Sequence, residues 1–142
     1  MFHACSSLIP ECDIAVFAAA VADYKPVRQA RQKIKSKSGD LVIALEKTVD
    51  IAAELGRKKK KNQFFVGFAL ETDNEMVNAR AKLSAKNFDL IVLNSLRDEG
   101  AGFGHETNKV SVIGKDNKIH KFGLKMKSEV AADIINLISE KI

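Results

Sequence analysis

The chain alternates short apolar runs with polar, charged stretches, and the lengths of the runs sort them into elements. Residues 2–9 (FHACSSLI) read as the end of a helix. After Asp13, IAVFAAAVA (14–22) is short and continuously apolar, the pattern of a buried parallel strand. YKPVRQARQKIKSKSG (24–39) is basic, nearly free of large apolar side chains and punctuated by Pro26 and Gly39, so it predicts a long mobile loop or flap. LVIALEK (41–47) reads as a strand. TVDIAAELGRKKKK (48–61) predicts a helix capped by Thr48, with Asp50 in its first turn and lysines at its end.

FFVGFAL (64–70) is the next strand, where Gly67 suggests close approach by a backbone or a ligand. EMVNARAKLSAK (75–86) has helical spacing, with Met76, Ala79 and Leu83 on one stripe. DLIVLN (89–94) is a strand ending in a polar residue, and the glycine-rich stretch after it is too long for a simple turn. KVSVIGKDNKIHKF (109–122) predicts a β-hairpin turning at Lys115-Asp116-Asn117. SEVAADIINLISEKI (128–142) is a closing amphipathic helix.

Strands alternating with helices predict one α/β domain over 1–142: a Rossmann-like open sheet, mostly parallel, with helices on both faces and an antiparallel hairpin at one edge. Ligands of such sheets sit beyond the C-terminal ends of the strands. That rule selects Ala22-Asp23, Ala69 to Glu71, and Asn94 onward.

Composition narrows the class. The 142 residues, 46% hydrophobic and 29% charged, suit a soluble globular domain. No apolar run approaches the roughly 18 residues of a membrane span and no signal peptide opens the chain, so no membrane partner and a cytoplasmic location are expected. Cys5 and Cys12 have neither CxxC spacing nor a partner histidine, which argues for two reduced structural thiols.

The net charge of +5 points to an anionic partner without naming it. Lys58 to Lys61 are consecutive, spread around a helix end, and read as a solvated terminus. Lys82 and Lys86 are four apart and share a helix face, where an anion such as a di- or triphosphate would relieve their repulsion; the alternative is two surface lysines. Lys33, Lys35 and Lys37 alternate along the flap, as a lid over a phosphate or as a disordered basic loop. Asp23 suits a bound cation or a ribose hydroxyl, or caps a turn. No GxGxxG follows a strand, no GxxxxGK[ST] occurs, and His3, His105 and His120 are too scattered for a nucleophilic triad. GAGFG (100–104) opens no helix and reads as a flexible connection. Spacing alone thus reaches an anion-binding α/β domain.

Six segments in order carry a more specific likeness: AAAVADYKP (18–26), QKIKS (32–36), VDI (49–51), GFALET (67–72), KLSAKNFDLIVLN (82–94) and GFGHETNKVSVI (102–113). They resemble phosphopantothenoylcysteine synthetase, the 4'-phosphopantothenate–cysteine ligase of coenzyme A biosynthesis, often joined to an N-terminal flavin-dependent decarboxylase. The resemblance implies a homodimer that binds CTP with Mg2+ (or Mn2+). It would activate 4'-phosphopantothenate as an acyl-cytidylate and transfer the acyl group to L-cysteine.

By the same resemblance, Phe17, Ala18 and Ala19 line the base and sugar, and Asp23 meets the nucleotide or its cation. Lys33 is the catalytic flap lysine of the second half-reaction. Val49, Asp50, Ile51, Ala52, Phe68, Lys82 and Lys86 match nucleotide-binding positions, and Asn94 fits the same crevice. The flap after DYKP would reach toward the partner's active site. Two positions depart from the family pattern: Val49 stands where many relatives have proline, and KIKS replaces KIKK. The family's opening strand, glycine-rich turn and substrate-binding Arg and Asn are not recognisable here, so the chain looks like the C-terminal portion of the synthetase. A non-catalytic nucleotide-binding and dimerisation module is the alternative. A nucleic-acid-binding module is disfavoured because only Tyr24, Phe64 and Phe65 lie near the lysine runs as stacking candidates. CTP against ATP is left open.

Overall fold

A computed structural model describes residues 1–35, 40–95 and 104–142. Helix α1 (Phe2–Leu8) runs through a 3-10 turn (Ile9–Glu11) into strand β1 (Ile14–Phe17). A short pair follows, β2 (Tyr24–Pro26) and β3 (Leu45–Lys47), then helix α2 (Ile51–Arg57) and strand β4 (Phe64–Glu71). Helix α3 (Glu75–Ala85), strands β5 (Leu90–Ser95), β6 (Thr107–Gly114) and β7 (Ile119–Met126), and helix α4 (Lys127–Ser139) complete the chain. The main sheet has the order β1-β4-β5-β6-β7; β1, β4 and β5 are parallel, and the β6–β7 hairpin joins antiparallel at the other side.

Alternation along the strands divides the interior into two layers. On one face Phe65, Ala69, Ile91, Leu93 and Ile113 pack with Ile51 and Leu55 of α2, Ala79 and Leu83 of α3, and Phe2, Cys5 and Ile9 of the N-terminal segment. On the other, Val66, Leu90, Val92, Val110 and Val112 pack against Val130, Ile134, Leu137 and Ile138 of α4. Helices therefore cover both faces, and the stripe expected on 75–86 faces the core, with Met76 half-buried beside it. Burying one such Leu, Ile or Phe side chain contributes about 1.5–3 kcal/mol.

Several elements differ from the sequence-based expectation. The first apolar run forms a strand only over 14–17 and is not buried: Ile14 is 40% and Val16 49% exposed. Among the described residues it pairs with β4 alone, at the edge of the sheet. The segment expected to be wholly loop contributes a strand at 24–26, and of 41–47 only the last three residues are strand; together they make a two-stranded arm. Thr48 does not cap α2. Its hydroxyl donates to the Ala22 carbonyl at 2.6 Å and its N–H to the Asp23 carbonyl at 2.8 Å, which closes the base of the arm. Asp50 is the N-cap instead, accepting from the Ala53 N–H at 3.0 Å.

The lysine run after α2 is not uniformly solvated either. The Lys59 side chain is 6% exposed; its ammonium pairs with Asp89, donates to the Asn87 carbonyl at 3.3 Å and lies 5.4 Å from the Phe65 ring centroid. Asp89 also accepts from the Phe65 N–H at 2.7 Å. One carboxylate thus fixes the starts of β4 and β5 together. Close approach at Gly67 comes from a side chain: a Cβ there would lie 2.0 Å from the Phe88 ring. Expectations resting on Lys37 and most of GAGFG fall outside the described residues. Among the described residues no helix is long and apolar enough to cross a membrane.

Candidate functional site

Along β1 and past its C-terminal end lies a cavity of about 380 Å³, bounded by α1, β1, the 18–23 segment, the start of α2 and the end of α3. The chain turns away from β4 after Phe17, which leaves Ala18, Ala19, Ala22 and Asp23 along one wall. Val49 to Ala52 form the opposite wall, because the Thr48 contacts bring the start of α2 next to Ala22 and Asp23. Phe68 of β4 and Phe88, before β5, supply the floor. The Phe17 ring is tilted against Phe65 and Phe88, both at 5.3 Å between centroids, so an aromatic cluster holds this floor in place.

The polar end of the cavity is built on one ion pair. Lys86, the C-cap residue of α3, places its ammonium 3.1 Å from Asp50 Oδ2. Burial works to raise the Asp50 pKa, but it is outweighed by hydrogen bonds from the Ala53 N–H, Lys86 and the Ala52 N–H and by the Lys86 charge, so the carboxyl is held below its ordinary value. It stays ionised at neutral pH, and the ammonium beside it keeps a site where an anion could compete for it.

Ten of the residues selected from the sequence line this one cavity: Phe17, Ala18, Ala19, Asp23, Val49, Asp50, Ile51, Ala52, Phe68 and Lys86. They come from four separated stretches, and the fold makes them neighbours. Three others lie outside its lining. Lys33 is on the exposed stretch beyond β2. Lys82 pairs with Glu71 Oε1 at 2.5 Å, while Asn78 donates to Glu71 Oε2 at 3.2 Å. Asn94, at the end of β5, has a buried amide oxygen without a hydrogen-bond partner. Lys82 and Lys86 thus engage different carboxylates on different elements, and the shared face of a helix does not by itself bring their amines to one anion.

Residues that the sequence did not assign to a site complete the wall. Met1, Cys5, Leu8 and Cys12 form an apolar end, and both thiols are free and half-buried. Phe88 was not marked, although the polar break before DLIVLN was a visible signal, and Thr48 was read only as a helix cap. Of the three aromatics near the lysine runs, Phe65 is fully buried, Phe64 packs on the core and Tyr24 is exposed. The carboxylates lining the cavity are Asp23 and Asp50, and Asp50 is already committed to Lys86 and Ala53. Among the described residues no group of three or more His, Cys, Asp or Glu could hold a metal ion.

Comparison with known proteins gives this geometry a context. The chain is 64% identical over 128 residues to a cysteine/cysteine sulfinic acid decarboxylase from an unknown prokaryotic organism, a match covering 90% of this chain and 36% of that protein. It is 42% identical over 139 residues to the coenzyme A biosynthesis bifunctional protein CoaBC of Bacillus subtilis, covering 98% of this chain and 34% of the relative. The crystal structure of the C-terminal domain of a CoaBC protein superposes with a TM-score of 0.76 at 34% identity, over 99% of this chain and 60% of that one. The chain thus spans about a third of the length of these curated relatives. Residues 1–142 match, from end to end, the model of the DNA/pantothenate metabolism flavoprotein C-terminal domain, and the chain belongs to that family.

Proposed function

We propose that this chain forms the nucleotide-binding part of a CTP-dependent 4'-phosphopantothenate–cysteine ligase acting in the cytoplasm. The observation that carries the reading is the convergence of Phe17 to Ala19, Asp23, Val49 to Ala52, Phe68 and Lys86 on one cavity at the end of a parallel strand. The family membership and the likeness to CoaBC proteins support coenzyme A biosynthesis as the setting. The reaction needs charge neutralisation and orientation rather than a protein nucleophile.

In this reading a carboxylate oxygen of phosphopantothenate attacks the α-phosphorus of CTP, and pyrophosphate leaves. The cysteine amine then attacks the acyl carbon, loses a proton, and CMP departs. The apolar wall takes the base and sugar, Lys86 exchanges Asp50 for a phosphate oxygen, and Asp23 faces the ribose or the Mg2+ (or Mn2+) that accompanies the triphosphate. Lys82 and Lys33 join as the phosphates and the arm are brought together, Lys33 serving the second half-reaction, and Asn94 faces the substrate crevice. The arm also bears exposed apolar side chains, Val27, Ile34, Leu41, Val42, Ile43 and Leu45, which suit burial against a second copy in a homodimer. An N-terminal flavin-dependent decarboxylase belongs to the same proposal.

Calorimetric titration of CTP, with ATP as competitor, tests the reading on the wild type and on Lys86→Ala in magnesium buffer. The expected result is CTP binding that weakens about tenfold in the variant, the effect of losing one charge-assisted contact. Equal affinity of the two proteins for CTP would sink the assignment.

A further inference from the structure

Lys86 is held from behind by the residue that follows it. Asn87 has φ 52°, a left-handed conformation that asparagine tolerates better than most side chains. Its amide Nδ2 donates to the Gly56 carbonyl at 3.0 Å, and its Oδ1 accepts from Lys115 Nζ at 2.9 Å. A carbonyl on one side and an ammonium on the other leave only this orientation of the amide satisfied. The Asn87 carbonyl in turn accepts from the buried Lys59 ammonium. The half-buried residue therefore joins the C-terminal end of α2, the end of α3 and the β6–β7 turn.

The contact with α2 is unusually close. A Cβ on Gly56 would lie 2.0 Å from the Lys86 carbonyl oxygen, so the backbone of residue 86 lies directly against the C-terminal turn of α2. From there the Lys86 side chain reaches back along α2 to Asp50, its N-cap. The main chain of Lys86 is tied to one end of the helix and its ammonium to the other, and Asn87 makes the first tie.

We propose that Asn87 is a positioning residue: it clamps the end of α3 to α2 so that the Lys86 ammonium is presented at the cavity beside Asp50. For its effect on ligand binding the inference rests on the nucleotide reading above; for the geometry it does not. Asn87→Gly is the informative variant, because glycine keeps the left-handed backbone while removing both side-chain hydrogen bonds.

Two readouts on the full-length protein separate the claims. Brief acetylation with acetic anhydride, quantified by mass spectrometry, reports the accessibility of individual lysines. Lys86 should become roughly threefold more reactive in Asn87→Gly, as an opened ion pair would be. Lys82, on the same helix but paired with Glu71, should not change. CTP affinity should fall about fivefold in Asn87→Gly and not at all when the same substitution is made in Lys86→Ala. Unchanged Lys86 labelling, or an equal rise at Lys82, overturns the positioning role, the latter because it would mean general loosening. An equal loss of CTP affinity in both backgrounds also overturns it. Selective Lys86 exposure with CTP affinity indifferent to Lys86→Ala would support the clamp and discard the nucleotide reading.

Discussion

The two sides of the sheet use similar sequences for opposite ends. In β4 and β5, apolar runs reach full burial: Phe65, Val66, Leu90, Ile91 and Val92 have no exposed surface. In β1 and the β2–β3 arm, residues as apolar as Val16, Val42 and Leu45 are about half exposed or more, Val42 reaching 89%. Helices on both faces satisfy the first region from within. The second leaves apolar surface exposed, which the proposed function assigns to a ligand in the cavity and a second copy at the arm. Apolar side chains mark both a core and a binding surface, and only neighbours tell them apart.

The sharpest way to break the contrast is to remove Asp89. Asp89→Ala leaves the buried Lys59 ammonium and the Phe65 N–H without their partner, and should cost about 3 kcal/mol of stability. Urea denaturation measures it; a loss within experimental error would show that the interior side does not depend on that pair. A charge on the arm should do the reverse. Val42→Asp, far from the core, should change stability by less than about 0.5 kcal/mol. If the arm forms the proposed homodimer, sedimentation velocity should nevertheless show a dimeric wild type and a monomeric variant. Dimers of unchanged strength would remove the arm from the interface.

The smallest expected effect concerns Asp50, which sits where the two regions meet. A carboxyl whose folded pKa is lowered contributes stability above its unfolded value, ordinarily 3.8, and that contribution is lost as pH falls through the folded pKa. Asp50→Asn should therefore be less stable than wild type at neutrality, and the gap should close in acid below that value. Urea midpoints from pH 7 down to 2.5 report this, and a gap independent of pH would mean that capping rather than charge dominates.

Much of this was legible in the sequence, and what was not has physical causes. Run lengths and helical spacing located nearly every element of the β4 to α4 region, because those segments bury one face or both and their periodicity records it. Burial of β1 was misjudged since apolarity does not reveal whether a strand has one neighbour or two. Thr48 looked like a helix cap, but its hydroxyl is occupied by the Ala22 carbonyl, twenty-six residues back. Lys59 looked solvated because its partner Asp89 is thirty residues further along, and no local pattern carries that distance. Ten residues of the cavity's lining were named from the family resemblance; the clamp through Asn87 was not, since an asparagine after a lysine looks like any helix ending.

The register of β1 has a consequence for how the molecule opens. Ile14 pairs with Phe64, whereas Val66 pairs with Leu90 across a much shorter and partly helical connection. Closing the longer loop costs about 0.6 kcal/mol more for each doubling of length, and among the described residues β1 pairs along one edge only. The β4–α3–β5 unit should thus assemble early and β1 dock late, which makes β1 the first element to release in native-state hydrogen exchange. The cavity is built on that last-docking strand. Its occupant would then act as a latch, and amides of residues 14–17 should exchange more slowly in proportion to how tightly it is held.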